Sequence, residues 1–121
     1  MPKFMILIYE TDVTRGKLGP EGTREVYEKY AAWAKSLQDK GVFLGSERLT
    51  PAGRVLRKND QQLRIHDGPF AESKEVFGGY WAVEADSFED AVEYCRNSPH
   101  LDYGGMLEIR EITTCGVKLD A

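Results

Sequence analysis

The sequence predicts one α+β domain, an antiparallel sheet with two helices on one face, paired with a second copy of itself. Three observations predict it. At 121 residues the chain suits a single domain with a core of its own. Its apolar residues recur with helical spacing in two stretches and as short strand-like runs elsewhere. The resulting order is strand, helix, strand, hairpin, strand, helix, strand.

Residues 4–9 are a continuous apolar run closed by Glu10, Thr11 and Asp12, which reads as a strand covered on both faces. Residues 12–22 are polar, with Gly16, Gly19 and Pro20, and read as a loop. Pro20 suits a first helical position, and Glu21 suits the positive helix start. Val26, Tyr30, Trp33 and Leu37 then recur on one stripe, widened by Tyr27, Ala31 and Ala34, which predicts an amphipathic helix of about five turns. Lys40-Gly41 stops it, with Gly41 as the left-handed cap.

A second strand begins at residues 42–44 and runs toward Arg48, until Pro51 and Gly53 break it. Residues 54–56 and 62–66 form a short hairpin around Lys58, Asn59 and Asp60. Asp67-Gly68-Pro69 reads as a tight turn by composition. Residues 79–85 form a strand. Ser87 and Asp90 have capping-box spacing, and Phe88, Ala91, Val92 and Cys95 share one face of the helix that follows, with Pro99 past its end. Residues 106–112 form the last strand. The order is that of a ferredoxin-like split pair of βαβ units. An apolar sheet face opposite the helices needs a cover, and a two-fold copy is the economical one.

Charge and cysteine usage narrow the function. A net charge of −4 lacks the basic surplus that nucleic acid demands. No apolar run approaches the ~20 residues of a membrane span, and the first ten residues are too short for a secretory signal. Cys95 and Cys115 lie in no metal-ligand spacing, so a reducing cytoplasm is expected. Nucleotide-binding and serine-hydrolase motifs are missing, and neither a cofactor nor a metal is expected.

The run DGPFAESKEVFGGYWAVEADSFEDAVEYCRNSP (residues 67–99) resembles the DGPF-domain family, within the YCII-related superfamily. FLGSERLTPAG (43–53) and GGMLEIREI (104–112) resemble it as well, so the likeness covers nearly the whole chain. It implies a ferredoxin-like monomer, a dimeric α+β barrel and a bacterial cytoplasmic protein. Some members have genes beside those of alternative sigma factors, which implies regulation linked to such a factor. A related YCII protein is described as a chloroaromatic dehydrochlorinase. The barrel is shared with muconolactone isomerases and antibiotic-biosynthesis monooxygenases. The YCII branch carries a His on the first helix paired with an Asp after the second. In register these positions fall on Tyr30 and near Ser98, so that pair is not carried over.

Several residues bear chemistry under one reading and structure under another. Asp67 is a general base at a pocket mouth, or an Asx-turn residue fixing the bend. His66 relays a proton beside it or, in a poor zinc pattern, ligates a metal with Asp67 and Glu72, or it ends a strand in solvent. Glu72, with Lys74 and Glu75, binds substrate or is a solvated loop. Arg48, Arg54, Arg57, Lys58 and Arg64 anchor a carboxylate or phosphate, or protect the edge of an exposed hairpin. Tyr9, Tyr30, Trp33, Tyr80 and Trp81 line a small-molecule pocket, or are core. Tyr30 draws notice as the replacement for the relatives' His: a phenol donates a proton more readily than it takes one near neutrality. His100 is placed in a loop at a helix end, where its charged form suits the helix dipole. Cys95 is an inert core thiol.

The sites expected are therefore Asp67, Tyr30 and His66 for proton handling, and Arg48, Arg64, Tyr9, Trp81 and Glu72 for substrate. The function expected is a homodimeric module that binds a small molecule or regulates a partner. A cofactor-independent lyase or isomerase acting on a small aromatic or carboxylated substrate is the alternative, and a ligand-free structural dimer is the third.

Overall fold

The computed structural model of the chain describes residues 1–11, 20–50, 52–68 and 76–113. The elements are β1 (Lys3–Glu10), α1 (Pro20–Asp39), β2 (Phe43–Arg48), β3 (Gly53–Asn59), β4 (Gln62–Gly68), β5 (Val76–Glu84), α2 (Phe88–Cys95), α3 (Pro99–Asp102) and β6 (Met106–Ile112). Four strands form one sheet in the order β2-β5-β1-β6, every neighbour antiparallel. With the β3–β4 hairpin set aside, this is the ferredoxin-like α+β plan.

Both long helices pack on one face of the sheet. Phe4 and Ile6 of β1 and Val83 of β5 meet Trp33 and Leu37 of α1 and Ala91 and Cys95 of α2 in a single buried cluster. The Trp33 indole N–H donates to the Tyr94 carbonyl at 2.8 Å, which ties α1 to α2. Burial alternates along β1: Phe4, Ile6 and Ile8 are buried, while Met5, Leu7 and Tyr9 are half-buried on the other face. Among the described residues the strand is thus covered by helices on one face only. The continuous apolar run reads as doubly covered because the helix-free face is itself apolar.

Local chemistry sets the element ends. Gly41 takes φ 73 after α1, its N–H donates to the Gln38 carbonyl, and the Val42 N–H donates to the Leu37 carbonyl. That pairing is a Schellman cap. Ser87 caps α2 by accepting the Asp90 N–H at 3.2 Å. On α2, Ala91 and Cys95 are buried, while Phe88 and Val92 are largely exposed. Pro99 does more than follow α2: it opens the short helix α3, with Ser98 as N-cap.

The hairpin is longer than its composition suggests. Its strands pair from Gly53↔Gly68 to Asn59↔Gln62, around Asp60 and Gln61 at φ 50 and 66. Asp67-Gly68 is therefore strand rather than turn. Gly68 is needed for close approach, since a Cβ there would lie 2.7 Å from Val55 Cγ2. The expected turn's Pro69, the loop over residues 12–19 and Pro51 lie outside the described residues. Among the described residues, no helix is long and apolar enough to cross a membrane.

Candidate functional site

The sheet and helices enclose a cleft of about 210 Å³ at the end of β1, bounded by Glu10, Tyr30, Arg48, Trp81 and His100 among others. Glu10 closes β1 on the parity of buried Ile8, so its side chain turns to the helix side and is only 12% exposed. The pairing of β1 with β5 passes from Ile8↔Gly79 to Tyr9↔Phe77 and skips Gly78. This bulge makes room for the carboxylate, because a Cβ on Gly78 would stand 2.5 Å from Glu10 Cδ. Arg48, at the end of β2 and opposite Gly79, reaches Glu10 with a 3.7 Å ion pair. A second cleft of about 300 Å³ shares Glu10, Arg48 and Gly78 and opens toward Leu49 and Val76.

Aromatic rings wall the smaller cleft. Trp81 of β5 meets Trp33 at 4.6 Å and Phe43 at 5.2 Å between ring centroids. The His100 ring stacks on Tyr30 at 4.4 Å and meets Trp33 edge-on at 5.9 Å. His100 is 6% exposed and its Nδ1 lies 2.7 Å from Ser98 Oγ. Burial, aided by the Arg48 charge, pushes its pKa down to about 4. The ring is therefore neutral at pH 7, not the charged loop residue its position after Pro99 suggests. Burial and the Glu10 carboxylate raise the Tyr30 phenol to about 12, which keeps it a proton donor.

Of the residues singled out in the sequence, the structure brings Tyr30, Arg48 and Trp81 together at this cleft. Tyr9 points to the other sheet face, where its hydroxyl donates to Glu108 Oε1 at 3.1 Å. His66, Asp67 and Arg64 lie on β4, in the hairpin. The Asp67 carboxylate, 89% exposed, pairs with Arg54 Nη1 at 3.3 Å. Arg64 stands opposite Arg57. Glu72, Lys74, Glu75 and Cys115 lie outside the described residues. Burial raises the Cys95 thiol to about 11, which leaves it unreactive. Among the described residues, no group of three or more His, Cys, Asp or Glu is arranged to hold a metal ion.

Sequence reasoning passed over Glu10 as a site residue and placed His100 in a loop rather than on α3. The signal for His100 was present: Ser98-Pro99 is an N-cap followed by proline at the first helical position. Read so, it places His100 on a short helix. Tyr30 and Ser98 both touch His100.

The model of the YCII-related domain matches residues 2–115, and the chain belongs to that family. It is also similar to an uncharacterized protein of Rhizobium meliloti (strain 1021), at 24% identity over 112 residues, 90% of each chain.

Proposed function

We propose that the protein is a homodimeric small-molecule-binding module whose ligand site is the cleft at Glu10, Tyr30, Arg48, Trp81 and His100. The observation that carries this reading is the coexistence of aromatic walls with a few converging polar groups, one of them a buried neutral imidazole. Small-molecule sites have this composition: apolar lining with a small set of placed polar atoms. The volume suits one substituted aromatic ring, since cavities of about 150 Å³ take benzene.

Two apolar surfaces that no described helix covers support the dimer. The helix-free face of the sheet carries Met5, Leu7, Tyr9, Phe77 and Tyr80. On the hairpin, Leu56, Leu63 and Ile65 share one face and are each close to 60% exposed. Surfaces of this kind are covered in stable proteins, and a second copy supplies both covers through one two-fold operation.

An isomerase- or lyase-type enzyme is the second reading, favoured by Glu10 and His100 at one cleft. A carboxylate that takes a proton and an imidazole N–H that polarises a carbonyl are the parts such chemistry needs.

The test is thermal unfolding against a panel of single-ring aromatics, aliphatic carboxylates, phenols and phosphates. A ligand at a hundred times its Kd adds about 2.7 kcal/mol to the native state, a rise of several degrees. The expected result is a rise with one aromatic class that disappears in Trp81→Ala, each protein compared with its own ligand-free midpoint. No rise across the panel, or a rise that survives Trp81→Ala, contradicts the assignment.

A further inference from the structure

We infer that His100 presents a fixed Nε2–H donor to the cleft, and that the ligand is an uncharged aromatic molecule offering a carbonyl oxygen to it. The inference rests on the proposed binding role of the cleft and names the ligand class.

The donor follows from the hydrogen bonds of Ser98. Its Oγ accepts the backbone N–H of His100 at 3.4 Å and lies 2.7 Å from the ring Nδ1. Ser98 is 1% exposed, and Nδ1 is the one acceptor that its hydroxyl proton reaches among the described residues. A buried hydroxyl that left its proton unshared would forfeit the hydrogen bond that water gives it in the unfolded chain. The hydroxyl therefore donates to Nδ1, which makes Nδ1 the bare nitrogen and places the ring proton on Nε2. Nε2 makes no hydrogen bond among the described residues, and His100 lines the cleft. Stacking on Tyr30 and the edge contact with Trp33 hold the ring, so the donor has a set direction.

The charge of the ligand follows from the other groups that face His100. Tyr30 on α1 is a neutral phenol. Arg48 on β2 is the nearby cation, and the Glu10 carboxylate on β1 already holds it at 3.7 Å. An anionic ligand would compete with Glu10 for that guanidinium and stand against a carboxylate only 12% exposed. An uncharged carbonyl avoids this conflict and still satisfies the Nε2–H. The ring it is attached to meets Trp81 and Tyr30.

The experiment is a long-range 1H–15N correlation spectrum of the imidazole nitrogens in the labelled wild-type protein at pH 7. It is recorded alone, then during titrations with benzamide and with benzoate. The expected result is a protonated Nε2 and a bare Nδ1 at His100. Benzamide should shift Nε2 together with the Trp81 signals, at a concentration about tenfold or more below that needed for benzoate. His100→Gln, which retains an N–H donor, should keep benzamide binding, whereas His100→Ala should weaken it about tenfold. A proton on Nδ1 overturns the inference. Equal or tighter binding of benzoate overturns the ligand class and leaves the cleft as the binding site. If the tautomer is as stated and neither probe moves the cleft signals, the binding role itself fails, and the ligand class with it.

Discussion

His100 sits where β2, α1 and α3 meet, and burial with the nearby Arg48 charge holds its imidazole neutral with a pKa of about 4. In the unfolded chain the same ring takes a proton near pH 6.5. Between about pH 6.5 and about 4 the unfolded chain binds more protons at this residue, so stability falls as pH falls through that window. The loss reaches about 3 kcal/mol at most. Unfolding midpoints from pH 7 to 4.5 should drop more steeply for wild type than for His100→Gln; parallel slopes would contradict the buried neutral imidazole. Gly78 makes the second prediction. Its substitution by Ala would set a Cβ 2.5 Å from Glu10 Cδ, so the carboxylate must leave its place beside Arg48. Gly78→Ala should weaken ligand binding about tenfold and cost about 1–3 kcal/mol of stability, both read by titration and denaturant unfolding. These roles were only partly legible in sequence. Tyr30, Arg48 and Trp81 could be picked out because their types suit a pocket. Glu10 could not, because a long-range packing relation turns it inward, and His100 could only in part: Ser98-Pro99 sets it on a short helix, but its burial against α1 is not local.

Elements whose signals are local were read well. The stripe from Val26 to Leu37 makes α1, Gly41 ends it, Ser87 starts α2, and residues 106–112 form β6. The hairpin was read too short, because Asp67-Gly68 has turn composition while its glycine serves close approach to Val55. Trp33→Phe removes the indole N–H that joins α1 to the Tyr94 carbonyl, and should destabilise the domain by about 1–2 kcal/mol in denaturant unfolding. In the hairpin, Gln61 holds φ 66, a left-handed conformation that suits glycine. Gln61→Gly should raise amide protection in β3 and β4 by up to about 1 kcal/mol in hydrogen exchange, with little change in the global midpoint. Among the described residues the hairpin forms a separate two-stranded sheet, so its opening need not follow global unfolding.

At the scale of the whole molecule, the helices cover one sheet face, and among the described residues no helix covers the other. The apolar run of β1 carried this in sequence, since a strand apolar on both parities asks for two covers. Sedimentation at micromolar concentration should give a dimer. Leu7→Glu, which places a charge in the centre of the open face, should give a folded monomer, and an unchanged dimer would place the interface elsewhere. The chain belongs to the YCII-related family over residues 2–115, and at its cleft Tyr30 and Ser98 both touch His100. Whether this cleft holds a small aromatic ligand is decided by a crystal structure of the protein soaked in benzamide. The ring is expected against Trp81 and Tyr30, with its carbonyl oxygen within hydrogen-bond distance of His100 Nε2. Density for the ring only elsewhere, with the cleft filled by water at saturating benzamide, would contradict it.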